Sequence, residues 1–469
     1  MENRKTYVAD INRGIYDIKD KMKHSFTTGK GLSADVVKTI SKDKNEPDWM
    51  LDLRLNALDI FLNKPIPDWG ADLSELDVND LVHYLKVGNN EISEDWNDVP
   101  EYIKKTFDRL GIPEAEKKSL SGVGAQYDSE VVYHKMNQEL LAQGVVYLDM
   151  ESAVKEYEDI VKKYFEKLIY SSDHKFSALH YAVWSGGSFV YVPKNTKVEM
   201  PLQSYFRLNA REAGQFEHTL IILEKGADLH FIEGCSAPKY KKNVLHAGAV
   251  ELYVSEGARL RYSTIENWSR NMYNLNTKRA IVEKNGKMEW VSGSFGSRVT
   301  MLYPMTILKG DNSSCEFTGV TLASEGQYLD TGCKVVHIGK NTTSNVKSKS
   351  ISKNGGTALY RGLLHITKTA EGSKSMVDCE SLMLDNLSRS DTIPTIKVDT
   401  DDTDLGHEAK IGKISEDSIF YLMSRGLSEE TAKALIIKGF VDPITKELPL
   451  EYAVELNNLL TIELEGTIG

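Results

Sequence analysis

One short turn returns through the middle of the chain. Glu224-Lys-Gly-Ala227, Ser255-Glu-Gly-Ala258, Glu283-Lys-Asn-Gly286, Lys309-Gly-Asp311, Ile338-Gly-Lys340 and Ala370-Glu-Gly372 place glycines 31, 29, 24, 29 and 33 residues apart. Between them lie short runs rich in Val, Ile, Thr, Tyr and Phe, several of alternating character, such as Ala258 to Ser263 and Lys287 to Val291. A strand-rich unit that repeats every few dozen residues predicts a stacked β-solenoid, because each unit can bury its apolar face only against its neighbours. Propeller blades are longer and need a closing signature that the chain lacks. A β-sandwich with long hairpins stays open as the competing architecture, since the spacing is uneven.

The flanks have a different texture. Up to about residue 175 the signals are helical: Pro100 to Phe107 runs on to Gly111 and Pro113, and Val154, Tyr157, Ile160, Val161, Tyr164 and Leu168 fall at helical spacing. Strand texture fills 176–399, and helices return over 400–469. Ser415 is placed to cap a helix over 417–425 stopped by Gly426, and Ser428 a second over 429–438 stopped by Gly439. A last helix is expected from Leu450. The expected fold is mainly β with α, a β-solenoid core between an N-terminal helical or mixed domain (1–175) and a C-terminal helical domain (400–469).

Composition removes several functions. The net charge of −11 and the lack of any Lys/Arg run argue against nucleic-acid binding. No stretch of 18 apolar residues suggests a membrane helix, and Met1 to Lys30 alternates charges without an apolar segment, so a cytoplasmic protein is expected. No G-x-x-x-x-G-K-[ST] loop is present, so ATP hydrolysis is expected of a partner rather than of this chain. The four cysteines, 235, 315, 333 and 379, are 80, 18 and 46 residues apart, far from zinc-ribbon spacing. Each is expected to be a free thiol, and Cys315 and Cys333 are assigned to the core.

Several peptides occur together in a telling order: Gly122-Val-Gly-Ala-Gln-Tyr-Asp-Ser-Glu130, Ile232-Glu-Gly-Cys-Ser-Ala-Pro238, Glu266-Asn-Trp-Ser269, Tyr360-Arg-Gly362, Asp378-Cys-Glu-Ser-Leu382, His407-Glu-Ala409, Arg425 to Glu429 and Glu447 to Ala453. In these the chain resembles the SufB/SufD family of iron–sulfur cluster assembly proteins, and its SufB members in particular. The resemblance implies a right-handed parallel β-helix and a scaffold, not an enzyme, within a SUF complex. It also implies partners: the ATPase SufC docked on the C-terminal helices, SufD or a second copy of the chain, a cysteine desulfurase with its sulfur-transfer partner, and acceptor apoproteins. The cargo is a transient iron–sulfur cluster. Reduced flavin is raised by the resemblance too, but no residue pattern supports it.

The resemblance maps the sulfur-accepting cysteine onto Cys235. Lys239, Lys241 and Lys242 follow it, and positive charge there would lower its pKa and favour the nucleophilic thiolate. The cluster-forming set maps onto Cys379, His407 and Glu408, a mixture of sulfur, nitrogen and oxygen donors suited to iron. Gly406 stands where the family pattern carries a glutamate, so any role of that carboxylate is lost or shifted. Between the two ends the resemblance suggests a polar internal passage lined by Arg207, Asn209, Glu217, Thr264, Trp268 and Lys284. Alternation puts Arg207 and Asn209 on one face. For the helical pair near the C-terminus, Ile419, Phe420, Met423, Leu435 and Ile436 are the expected docking residues. Two other functions compete: a SufD-like companion that accepts no sulfur, and a carbohydrate-active β-helix enzyme. The first is disfavoured by Cys235 and the Gly122–Glu130 peptide. The second would need paired carboxylates on adjacent coils, and none is evident.

Overall fold

A computed structural model describes residues 24–86, 120–210, 212–238 and 243–446, with positions 93, 99 and 104. The helix expected from Leu450, the peptide from Glu447, the lysines at 239, 241 and 242, and most of the 100–107 segment lie outside the described residues. The chain is mainly β, a parallel solenoid of about 8 turns, with 8 helices among the described residues of its N- and C-terminal regions.

The regularity of the coils comes from their corners. Left-handed backbone recurs at Asn195, Gly226, Gly257, Asn285, Asn312, Asn341 and Gly372, with φ between 55° and 73° for these positions. Their separations are 31, 31, 28, 27, 29 and 31, more even than the glycines alone. Asparagine shares the position because it tolerates left-handed backbone better than most residues. Each N–H at these corners donates to a carbonyl one coil further on, for example Gly226 to Glu256, Asn285 to Asp311 and Asn341 to Glu371, at 2.8–2.9 Å. Gly310 and Gly339 serve close approach instead, since a Cβ on Gly310 would meet Lys284 N at 1.9 Å.

One wall is a ten-stranded sheet. It runs from Glu130–Met136 and Gly122–Tyr127 through Leu202–Arg207, Asp228–Ser236, Arg259–Asn267, Lys287–Phe295, Ser314–Ala323, Thr343–Ser352 and Ser373–Met383 to Thr403–Lys413. The other walls form a 14-stranded sheet. In early coils it contains two ladders, represented by Val244–His246 and Ala249–Val254. They join on the long strand Thr357–Ile366, which takes Tyr328–Thr331 and Lys334–His337 on one edge and Arg389–Val398 on the other.

Because the strands stack in register, equivalent residues form columns along the inside. Phe231, Tyr262, Trp290, Phe317, Val346 and Val377 make an apolar column, with ring centroids 5.6 and 5.5 Å apart over its first two steps. Two positions on, the same strands present polar groups.

The strand texture does not end at residue 399, as the sequence suggested. Thr403–Lys413 adds a further strand to the ten-stranded sheet. Its burial is so slight that no apolar alternation marked it. Nor does Gly439 stop the second C-terminal helix, which spans Glu429–Thr445. Ile437 and Val441 of that helix seat on Ile265, Val320, Leu322 and Ile351, the outer face of the ten-stranded sheet, and this packing outweighs the roughly 1 kcal/mol that glycine costs in a helix.

A buried charge network and an inner polar column

Glu233 and Cys235 share the inner face of Asp228–Ser236, two residues apart. Cys235 is 1% exposed. On the next coil Thr264 lies beside Glu233, and Glu266 beside Cys235. Lys278, from the facing sheet, reaches across with its Nζ 2.9 Å from Glu233, 3.5 Å from Glu266 and 3.2 Å from Thr264 Oγ1. The Tyr262 hydroxyl donates to Glu233 at 2.5 Å. Asn274 donates to Glu266 at 2.6 Å and meets His246 Nδ1 at 2.9 Å. His246 Nε2 in turn contacts Glu217, and its ring lies 4.4 Å from that of Trp268. Three carboxylates, a lysine and a histidine thus form one buried chain beside a thiol.

That chain decides the state of the thiol. Burial pushes the Cys235 pKa well up, and Glu233, Glu217 and Glu266 push it further, against the weaker pull of Lys278. The loop lysines expected to lower it lie outside the described residues; the described groups around the sulfur favour the protonated thiol. Burial also opposes the charge of His246, yet Glu217 outweighs it and carries the imidazole above its usual value.

The six expected passage residues divide. Glu217, Thr264 and Trp268 belong to the network. Arg207 is buried and its guanidinium donates to Ser236 at 2.9 Å, but alternation places it on the face opposite Phe206 and Cys235. Asn209, just beyond that strand, is tied to Asp128 of the Gly122–Glu130 peptide by its backbone N–H at 2.6 Å. Lys284 is the misplacement. It sits in the exposed corner before Asn285 and takes no part in the interior. The lysine that does enter this network is Lys278, which shares the parity of Ala280 and Val282 in Thr277–Val282. That parity was visible in the sequence; the coil-to-coil register that brings Glu233, Glu266, His246 and Asn274 together was not.

From the network a column of small polar residues runs along the lumen: Glu233, Thr264, Ser292, Gly319, Ser348 and Cys379. Beside it stand Cys235, Glu266, Ser294, Thr321, Ser350 and Ser381. An internal cavity at mid-length is lined by Ser292, Ser294, Gly319, Thr321, Thr331 and Ser348, among others. Cys235 and Cys379 are five strand steps apart, roughly 24 Å at about 4.8 Å a step.

Cys379 is 2% exposed, and burial raises its thiol to about 12. His407 stands on the same inner face one strand on, beside Val377, half-buried at the open end of the solenoid. Glu408 does not join them. It pairs in register with Asp378 on the outer face, exposed, with Lys410 3.1 Å away. Gly406 shares that outer face, against Met376. Cys315 and Cys333 are buried with the apolar core, and Cys315 donates to Thr306 at 3.2 Å.

In the C-terminal pair Glu416–Ser424 and Glu429–Thr445, Ser415 caps the first helix by accepting from Ser418 N, and Ser428 accepts from Thr431 N. Ile419 is buried with Ile414 and Ala432, and Ile436 packs against the same cluster. Ile419 is therefore internal and Ile436 half-buried. Phe420, Tyr421, Met423 and Leu435 are exposed, Phe420 by 72%.

Comparison with known proteins agrees with this architecture. The family model described as "SUF system FeS cluster assembly, SufBD core domain" matches residues 206–440, and "SufBD protein N-terminal region" matches 104–204. The iron–sulfur cluster assembly protein SufB of Bacillus subtilis strain 168 is 51% identical over 98% of this chain and 99% of its own. A SufBD family protein of Staphylococcus aureus strain MRSA252 is 51% identical over the full length of both. The chain belongs to the SufBD family of iron–sulfur cluster assembly proteins.

Proposed function

We propose that this chain is the sulfur-accepting scaffold subunit of a SUF complex, with Cys235 as the acceptor and Cys379 with His407 at the cluster-forming end. The observation that carries this is the inner column between the two cysteines, polar at every step but Gly319. Polar side chains inside a solenoid are costly unless they are paired or hydrated, so a column of them favours a purpose. In sulfur acceptance the Cys235 thiolate attacks the outer sulfur of a donor persulfide; the donor S–S bond breaks and the donor leaves as a thiolate. The resting thiol must first shed its proton, and Glu266, its ladder neighbour, is a carboxylate placed to receive it. At the far end iron meets one thiol and one imidazole from this chain, too few donors to retain a finished cluster, which suits a scaffold that hands it on. Glu408, outward-facing, is available to a neighbour rather than to the same inner face.

SufC is the expected occupant of the exposed Phe420, Met423 and Leu435 surface. SufD or a second copy is the expected neighbour at the open end, where Ile393, Ile396, Val398 and Ile411 are exposed. A desulfurase with its sulfur-transfer partner would supply sulfur, and acceptor apoproteins would take the cluster. Anaerobic reconstitution with ferrous iron and sulfide in the presence of SufC tests the reading. Cys379→Ser and His407→Ala should keep the fold and SufC binding but lose the visible absorption of the cluster. Wild-type spectra from both variants would refute it.

A further inference from the structure

Asn274 stands at the centre of the buried network, and its contacts tell its two amide atoms apart. Register sets it beside His246, because the strands Val244–His246 and Met272–Asn274 pair these two residues on neighbouring coils. Both side chains are wholly buried, as is Glu266. The Asn274 amide nitrogen donates to Glu266 at 2.6 Å, and its oxygen faces His246 Nδ1 at 2.9 Å. An amide oxygen only accepts, so Nδ1 carries a proton. On the other side of the ring Nε2 faces the Glu217 carboxylate, which when ionised also only accepts, so Nε2 carries one too. By this count the ring is an imidazolium. Turned the other way, the amide would need Glu266 as the neutral acid, and Lys278, 3.5 Å from that carboxylate, favours the ion.

We propose that His246 and Asn274 are positioning residues for sulfur acceptance, and that together they hold Glu266 as the ionised base for the Cys235 thiol. This deepens the function proposed above and rests on it. Charge decides the path of the proton. Glu217, Glu233 and Glu266 face two cations, Lys278 and the His246 imidazolium, which leaves one negative charge in excess. Releasing the thiol proton to solvent would leave a second uncompensated charge in the interior, which burial penalises. Passing it to Glu266 leaves the total unchanged. The S–H bond breaks, an O–H bond forms on Glu266, and the Cys235 sulfur keeps the electron pair with which it attacks the donor persulfide. A ring with a bare Nδ1 would turn the amide, and Glu266 would then already hold a proton. Of the remaining titratable groups around the network, Tyr262 donates to Glu233, and His180 of the helix Lys175–Val183 meets the Ala247 carbonyl at 2.9 Å.

The test reads the ring and the sulfur transfer separately, in the full-length chain. With histidine isotopically labelled at its ring nitrogens, the magnetic-resonance signals of His246 are identified by difference against His246→Gln. At about pH 8, where an ordinary imidazole of pKa about 6.5 is neutral, both nitrogens should report as protonated. Asn274→Asp keeps the acceptor for His246 but sets a second carboxylate against Glu266, so that the two must share a proton. His246→Gln removes the cation and raises the proton affinity of both carboxylates. Circular dichroism should show both variants folded. Each should slow single-turnover labelling of Cys235 by sulfane sulfur from the desulfurase system about a hundredfold at about pH 7, the lower range of what a general base contributes. Each should regain rate as pH rises and the extra proton leaves. Should one variant fail to fold, the other decides. A His246 ring with one bare nitrogen overturns the imidazolium. Wild-type labelling rates in the variants overturn the positioning role, and so does a slower rate that pH does not restore. Absence of label at Cys235 in the wild type overturns the parent role of that thiol, and this proposal with it, while the ring signals still report the charge of His246.

Discussion

Lys278 and Lys284 are six residues apart and have opposite fates. The first is 2% exposed and bridges Glu233 and Glu266; the second sits in a hydrated corner. Removing Lys278 leaves two buried carboxylates without their cation, so Lys278→Met should cost about 3–5 kcal/mol in urea unfolding, whereas Lys284→Ala should stay within about 0.5 kcal/mol. Equal costs would show that the network is not the buried ion chain described. The histidines set the acid limit of the fold. Burial lowers the pKa of His83, His134, His174, His230 and His337 from 6.5 to about 4. Between those values the unfolded chain binds more protons, so stability is lost as pH falls from 6.5 toward 4. His246 runs the other way: its raised pKa adds stability that is full below 6.5 and is lost as pH rises through its folded value. The urea midpoint should therefore fall steadily below pH 6.5, and His337→Gln should flatten that slope. A slope unchanged in His337→Gln would remove that imidazole from the cause.

At the scale of elements, the coil was legible because its corners demand glycine or asparagine, and those residues announce themselves. Parity within a strand was legible too: the alternation read at Ala258 to Ser263 and Lys287 to Val291 falls within the strands Arg259–Asn267 and Lys287–Phe295. What no single strand discloses is its neighbour in register: Glu266 comes to lie beside Cys235 only when two corners fix the stacking. The last strand was missed for a related reason. Thr403–Lys413 is half-exposed and carries charges at Asp404, Glu408, Lys410 and Lys413, so it lacks the alternation that marks a buried strand. The corners also differ in how much they tolerate. Gly257 has positive φ but open space around it, so Gly257→Ala should cost about 1–2 kcal/mol. At Gly296, with positive φ, a Cβ would stand 1.8 Å from Trp268 O. Gly296→Ala should cost several times more and disturb the tryptophan beside His246, seen as a change in its fluorescence; similar costs at both positions would argue against the close packing of these coils. In the C-terminal pair, Phe420→Ser should weaken SufC binding with the fold intact, while Ile419→Ser should lower the thermal midpoint first. The reverse pattern would place the docking surface elsewhere.

For the whole molecule the two ends of the solenoid are unlike. The N-terminal end is closed by Glu130–Met136, antiparallel to its neighbour, and by helices packed on the first coils. At the other end Arg389–Val398 and Thr403–Lys413 are largely exposed, with Ile393, Ile396, Val398 and Ile411 between 38% and 46%. A repeat protein needs its terminal coil covered, and under the proposed function a partner there would also complete the donor set begun by Cys379 and His407. Between Glu233 and Cys379 the inner column holds Thr264, Ser292, Gly319 and Ser348, side chains no larger than threonine. Ser348 is the step before Cys379, which makes it the place to block the route without touching either cysteine. The decisive measurement loads the full-length chain with labelled sulfane sulfur from its desulfurase system and maps the label by peptide over time, in wild type and in Ser348→Leu, with circular dichroism to confirm the fold. Transit through the lumen requires normal labelling of Cys235 in Ser348→Leu and at least a tenfold delay at Cys379. Label reaching Cys379 at the wild-type rate in the blocked chain would mean that sulfur travels by another route.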